Sequence, residues 1–492
     1  MNNISSRTLA VSSHETGKII SFFSGVAKIS GLPHVFLHEV LLDPDGNPAA
    51  IVIGFDKQFV EALFFDETVD LQKPLSRSKR VFSIPISESV VGRVFDGLGT
   101  PRDFLGDIVG KRIPVFRSAP QIIDRQPVIR PLTTGVKIID SVLSLGRGQR
   151  ELIIGDRKLG KSTLALDTVL NQKHEALPVY CVYVLCGQKE QQLKEIAGLF
   201  EKNNAFLYTV IVAATAESSY ASQYVAPFVG CAIGEYFRDA GKDALVVYDD
   251  LSKHANAYRS IALLLGRPPG RESYPGDIFS LHAALLERAG QLSKKQGGGS
   301  LTALPIVETQ EGDITSFIST NIISITDGQI YVERGLFQKG FLPAVNVGLS
   351  VSRVGSQSQP SALRSVVGGI RLALSQHKEL QKLTQLETTV SEQAKTKIHR
   401  GELMLELLKQ EKHTNISWPE QVVLFYAVEE GFFDTMEKEQ WSNFEDKLRA
   451  LMRNRYAEVL QHIARDTFDK TVTNNIQQIV EDAKNEFIAT QP

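Results

Sequence analysis

The sequence predicts a multidomain α/β chain in three parts: an N-terminal β-barrel over residues 1–86, a central parallel-sheet domain over 87–361, and a C-terminal α-helical bundle over 362–492. Three observations carry that expectation. The chain has 492 residues, too many for one compact domain at roughly 100–200 residues each. Its composition, 42% hydrophobic and 22% charged, is that of a globular chain with apolar material for more than one core. The hydrophobic pattern also changes texture twice along its length.

From Gly17 to Pro85 the texture is short and strand-like. GKIISFFSGVAKISGL sets β-branched and aromatic residues against Ser and Lys, with Gly25 and Gly31 as breaks. AAIVIGF, VEALFF and KRVFSIPI follow, separated by Asp-Pro-Asp-Gly and Lys-Pro. Short strands with turn signals and no helical period predict a small antiparallel barrel. From Ser87 to Gly355, RELIIGD, PVYCVYVLCG, FLYTVIVAAT and DALVVYDD are near-continuous apolar runs, as strands covered on both faces require. Amphipathic stretches such as KSTLALDTVLNQ and KEQQLKEIAGLFEK lie between them, which predicts alternating strands and helices. From Ala362 onward strands vanish. HKELQKLTQLETTVSEQAKTK, HRGELMLELLKQ and NFEDKLRALMRNRYAEVLQHIARD keep apolar residues at three-and-four spacing, which predicts packed helices.

Composition narrows function before any motif does. The net charge of −2 gives no basic excess for neutralising nucleic-acid phosphates, so no nucleic-acid partner is expected. Cys181, Cys186 and Cys231 sit in apolar surroundings and read as buried thiols in a reducing compartment. The N-terminus has no basic region followed by an apolar core, and no run of about 18 apolar residues occurs.

The chemical signal stands at the end of the first apolar run. Gly155, Asp156, Arg157, Lys158, Leu159, Gly160, Lys161 and Ser162 satisfy GxxxxGK[ST], with RELIIG before and STLALDTVLNQ after. That context matters because such a loop works by geometry: backbone N–H groups curve around a phosphate at a helix N-terminus. Lys161 is placed to bridge β- and γ-phosphates and the Ser162 hydroxyl to ligate Mg²⁺. Asp249, ending DALVVYDD, is the expected metal-associated carboxylate, with Asp250 as its competitor. The strand after the P-loop helix ends in Gly187-Gln188-Lys189. A glutamine orients water but takes no proton, so the site is expected to bind ATP or ADP rather than cleave it, with Glu190 as the alternative base.

GRGQRELIIGDRKLGKST, YDDLSKHANAYR, RPPGRESYPGDIFSLHAALLERA, GGGSLTALPIVETQEGDITSFISTNIISITDGQI and NVGLSVSRVG together resemble the α subunits of F-type ATP synthases, over nearly the whole chain. The resemblance implies a barrel, a RecA-like nucleotide domain and a helical bundle. It also implies partners: β and γ subunits in an alternating ring, the peripheral stalk, and the membrane sector indirectly, at the cytoplasmic side of the inner membrane. By the same resemblance the loop from Gly155 to Ser162 belongs to a non-catalytic site, and Gln188 stands where the β subunit has its catalytic glutamate. Arg353 in SVSRVG resembles the family's arginine that reaches the neighbouring catalytic site, and Gln410 in ELLKQEK resembles a glutamine near the adenine. The chain departs from the pattern at Lys158-Leu159, where the family has Gln-Thr, and at Lys412, which replaces a second glutamine. LERAGQLSKKQGGGS and the short stretch before Gly17 are also altered, as in a divergent copy from an alternative ATPase operon coupled to H⁺ or Na⁺. Two rivals are a Rho-like RNA translocase, for which the barrel offers only Arg77, Lys79 and Arg80, and a secretion-type ATPase, which would keep a glutamate at position 188.

Overall fold

The computed structural model describes residues 15–489 apart from 67, 176–177, 385–391, 435 and 466–468. The expectation for the stretch before Gly17 therefore falls almost wholly outside the described residues.

Six strands, β1 (Thr16–Phe23), β2 (Val26–Ser30), β3 (Glu39–Leu42), β4 (Pro48–Phe55), β5 (Val60–Phe64) and β6 (Leu75–Val81), close into a barrel of order β1-β2-β5-β4-β3-β6. Every pairing is antiparallel, and the β1–β6 contact removes the free edges. Ile29, Leu41, Val52, Ala62 and Phe64 fill the interior. One charged group is buried in this wall. Glu39 accepts from Arg77 Nε (3.2 Å) and the Lys79 backbone (2.8 Å), so its charge is paired rather than orphaned. Arg267 ties the barrel to the central domain through Glu61 at 2.5 Å.

The central domain is a twisted sheet built from β7 (Val94–Asp96), β8 (Leu152–Asp156), β9 (Val179–Gln188), β10 (Thr209–Thr215), β11 (Asp243–Asp249), β12 (Ser300–Thr309), β13 (Gly328–Val332) and β14 (Val351–Ser352). The order is β14-β13-β8-β12-β11-β9-β10-β7, parallel throughout except for the β13–β14 pair. Helices α1 (Lys161–Asn171), α2 (Glu190–Lys202), α3 (Tyr220–Asp239), α4 (Leu251–Leu264), α5 (Ile278–Leu286) and α6 (Phe317–Ile325) cover it. Successive side chains on a strand face opposite ways. Ile153, Tyr183 and Val247 accordingly enter one core, and Ile154, Val182 and Val246 the other. That is why these strands read as unbroken apolar runs. All three cysteines are free and buried.

After the short α7 (Arg334–Gln338) come α8 (Ser361–Val367), α9 (Ile370–Thr384), α10 (Glu392–Leu407), α11 (Trp418–Glu429), α12 (Lys438–Arg455), α13 (Ala457–Ala464) and α14 (Lys470–Ala489). The long run ending in HIARD is broken at Tyr456, whose φ of −120° ends α12 and opens α13. Leu403, Phe425, Trp441, Leu448 and Ile479 of the bundle share one apolar core with α1, α2 and one face of the sheet. A buried ion pair crosses that junction: Lys137 Nζ lies 2.6 Å from Glu445 Oε1, with the lysine side chain 2% exposed. Removing one partner of such a pair leaves a buried charge without compensation. Glu445→Ala is expected to destabilise the chain by about 3–5 kcal/mol. The double variant Glu445→Leu with Lys137→Met should recover most of that loss, and urea denaturation of the two variants side by side checks it.

Candidate nucleotide-binding site

Parallel strands deliver their C-terminal ends to one edge of the sheet, and loops there are where ligands are held. β8 ends at Asp156, the chain turns through Arg157–Gly160, and α1 begins at Lys161. Gly160 has φ +96° and no atom within 4 Å of where a Cβ would sit. Gly155 is required for a different reason: a Cβ there would meet the Val332 carbonyl at 2.4 Å. The turn borders a cavity of about 560 Å³, into which Lys158, Gly160, Lys161, Ser162, Asp249 and Glu308 project.

Lys161 is 5% exposed and donates to the Asp156 carbonyl at 2.6 Å. Burial pulls its pKa down, against the opposing attraction of Glu308, Asp250 and Asp249. It remains the cation at the helix N-terminus, where an anion is favoured.

The structure separates the two candidate aspartates at the end of β11. Asp250 N-caps α4, accepting from the Lys253 backbone at 2.8 Å, and pairs with Lys253 Nζ at 2.5 Å. Burial pushes its pKa up to about 6 in spite of that lysine. Asp249 accepts only from neutral donors, the Tyr183 hydroxyl at 2.8 Å and Gln188 Nε2 at 3.0 Å. Ser162 and Asp249 both line the cavity, and a hydroxyl with a carboxylate is a pair of hard oxygen donors that suits Mg²⁺. Among the described residues no cluster of three or more His, Cys, Asp or Glu side chains could hold a metal by itself. A divalent ion here would share its coordination with nucleotide phosphates.

Several residues chosen from the sequence stand elsewhere than the motif suggests. Gly155, Asp156 and Arg157 do not line the cavity. Asp156 instead accepts from Thr309 Oγ1 (2.7 Å) and the Gly312 N–H (2.8 Å) and pairs with Arg334 at 3.0 Å, holding the 309–312 turn against the loop. Arg157 is exposed and pairs with Glu308 at 2.9 Å. Leu159 is 6% exposed and packs into the core beneath the loop, while Lys158 is exposed at the cavity. Gln188 stands behind the two aspartates, its amide donating to Asp249 and, at 3.4 Å, to Asp250. Gln410 borders the cavity, but its amide is engaged by backbone: Nε2 donates to the Gly135 and Thr414 carbonyls at 2.7 and 2.8 Å, and Oε1 accepts from the Lys137 N–H at 2.9 Å. Arg353 is exposed just beyond β14, outside the cavity wall, with its N–H bonded to the Asp327 carbonyl at 2.9 Å. Glu190 faces Arg102, not the cavity.

Sequence reasoning missed Glu308, which follows the apolar run LPIV and enters the cavity from β12. It also missed the apolar end of the cavity, made by Val136, Ile306, Phe337, Leu342 and Pro343 from four separate segments. No local pattern announces such a wall. Lys412 lines the same space.

A phosphate-binding turn, a buried lysine, a carboxylate-hydroxyl pair and an apolar slab define a P-loop nucleotide-binding protein of barrel, α/β and bundle construction. Residues 135–352 match the ATP synthase alpha/beta family, nucleotide-binding domain, and residues 359–483 match the ATP synthase alpha/beta chain, C terminal domain. The chain belongs to the ATP synthase alpha/beta family. It is 45% identical over 473 residues to "ATP synthase subunit alpha" of Helicobacter pylori (strain HPAG1), covering 96% of this chain and 94% of that one. It is 44% identical over 478 residues to the protein of the same name from Aquifex aeolicus (strain VF5), with the same coverage. The Helicobacter acinonychis (strain Sheeba) protein of that name is 45% identical over 478 residues, covering 97% and 94%. Neither the Rho-like nor the secretion-type reading is favoured by these matches.

Replacing Lys161 by Ala removes charge-assisted bonds of roughly 1.5–3 kcal/mol each to the phosphates. Mg-ATP affinity for the full chain should fall at least about tenfold. Equilibrium dialysis giving unchanged affinity would remove the P-loop from the account.

Proposed function

We propose that this chain is the nucleotide-holding, non-catalytic α-type subunit of a rotary F-type ATP synthase. The observation that carries the reading is the donor amide of Gln188 facing Asp249 and Asp250. Hydrolysis needs a carboxylate free to take a proton from the attacking water. Asp249 is held by Tyr183 and Gln188, and both oxygens of Asp250 by Lys253. Lys253, Arg157 and Lys161 together keep Glu308 below its usual pKa despite its burial, which makes it a weak base. A glutamate at position 188 would set a third carboxylate against that pair, whereas the amide supplies two N–H groups to it. The cavity therefore suits retention of nucleotide. When bound, Mg²⁺ would offset phosphate charge; Ser162 and Asp249 would hold it, Lys161 would meet the β- and γ-phosphates, and Phe337, Leu342 and Pro343 would cover the base. Gln410 would act near that base by fixing the wall, since its own amide is committed to backbone.

In the assembled ring this chain would stand between β-type neighbours around a γ-type shaft, with the peripheral stalk holding the ring and H⁺ or Na⁺ flow in the membrane sector driving it. Its contribution to chemistry would be Arg353, exposed and outside its own cavity, offered to the neighbouring site. An arginine supplied in trans is typically worth about 10³–10⁵ in rate. Arg353→Ala is expected to leave the complex assembled and nucleotide-loaded while abolishing its steady-state hydrolysis. Gln188→Ala should cost far less, and a side-by-side ATPase assay returning the opposite order would sink the non-catalytic assignment.

Association with the membrane would be peripheral. No helix among the described residues is long and apolar enough to cross a bilayer. Stripping the head sector at low ionic strength should release the chain, and retention of the purified chain on protein-free liposomes would contradict this.

A further inference from the structure

A second cavity, about 570 Å³, lies between the end of α1 and the helical bundle. It matches the P-loop cavity in size, at about 560 Å³, and shares none of its lining residues. Lys173 and His174 come from the turn after α1, His413 from the loop before α11, Glu420 from the first turn of α11, and Arg449 and Arg453 from α12.

The charges in this cavity do not balance. Glu420, 3% exposed, is the only acidic side chain in the wall among the described residues. Its Oε1 accepts from Arg453 Nε at 2.6 Å, and its Oε2 from the Ser417 N–H and hydroxyl at 3.0 and 2.7 Å. That carboxylate is fully engaged, and Arg453 is its counter-charge. Two cations are left over. The Arg449 side chain is 18% exposed, its Nε is buried with no hydrogen-bond partner among the described residues, and its ion pair is a long one, 3.9 Å to Asp446, which is itself 75% exposed. Lys173 is exposed at the rim and makes no ion pair among the described residues. A largely buried guanidinium whose Nε is unpartnered and whose counter-charge is distant and exposed is poorly compensated, and a cavity lined by a second such cation is where an anion repays that cost. His174, exposed at the rim, adds a ring whose pKa is lowered, chiefly by partial desolvation, and whose nitrogens offer further polar contacts.

We propose that this cavity is a second anion site that binds a small phosphorylated ligand of pyrophosphate type, with Arg449 as the inner and Lys173 as the outer contact. The site is joined to the nucleotide cavity through Asp167, whose carbonyl accepts from Asn415 Nδ2 in the wall at 2.7 Å. His413 in its wall meets Asp167 Oδ1 through its backbone N–H at 3.0 Å and ring Nδ1 at 2.8 Å, and Asp167 lines the P-loop cavity. Lys412, the neighbouring residue, lines that cavity too. A ligand seated beside His413 therefore bears on the loop that walls the nucleotide.

Calorimetric titration of the full-length chain with inorganic pyrophosphate tests this, because two cation sets can be removed separately. The wild-type chain is expected to bind two equivalents. Lys161→Ala should leave one, and Lys173→Gln with Arg449→Gln should leave one. All three changes together should leave none within the same concentration range, a loss of at least about tenfold in affinity at each site. Lys173→Gln alone, at an exposed position that cannot unfold the chain, should weaken the second equivalent selectively. Binding that disappears with Lys161→Ala alone, or a second equivalent that survives Lys173→Gln with Arg449→Gln, overturns the proposal. So does a Lys161→Ala chain that ignores pyrophosphate while an acidic subunit segment fills the cavity in the assembled complex. Failure of the P-loop reading would look different: Lys161→Ala would leave two equivalents.

Discussion

The site depends on keeping a lysine charged inside the protein. Lys161 is nearly buried at the mouth of α1, and a lone ammonium there would lose its proton or unravel the turn. Asp249, Asp250 and Glu308 oppose the downward pull of burial on its pKa, arriving on β11 and β12 because parallel strands all end on the same edge of the sheet. Three carboxylates beside one lysine would repel phosphate, so each is given a further partner. Lys253 serves Asp250 and, at 3.6 Å, Glu308; Arg157 serves Glu308; Tyr183 and Gln188 serve Asp249. The result is a cavity with cations facing in and its acids already occupied. That arrangement favours holding an anion over deprotonating a water beside it.

The far wall of the cavity belongs to the junction with the bundle, and the same physics governs it. Asp140 is fully buried with a pKa raised to about 6 by that burial, yet it accepts from the Thr134 N–H and hydroxyl, the Gly135 N–H and Gln421 Nε2. Gln421 lies on α11, and Lys137, three residues before Asp140, pairs with Glu445 on α12. Gln410 joins the same segment through Gly135 and Lys137. Three polar links and a shared apolar core fix the bundle against the nucleotide domain, so the position of the 410–413 wall is set by packing.

Much of this was legible in the sequence. The barrel, the parallel sheet and the bundle each impose their own period on apolar residues, and the P-loop compresses its geometry into eight consecutive positions. What escaped is what depends on distant segments meeting. Asp249 and Asp250 are indistinguishable by spacing and separate only because Asp250 caps α4. The motif includes Asp156 and Arg157, but the turn directs their side chains to Thr309 and Glu308 instead of the cavity. Glu308 carried no signal because a single charge after LPIV reads as the end of a strand. Gln410 had the right location, while its hydrogen bonds go to backbone that only the fold brings within reach.

The central claim is that this chain retains nucleotide without cleaving it. Loading the purified full-length chain with Mg-[γ-³²P]ATP at a substoichiometric ratio, and quenching aliquots in acid over several hours, tests this directly. The bound radioactivity should be recovered as intact ATP. Release of one equivalent of labelled phosphate per bound nucleotide, by the chain alone, would contradict it.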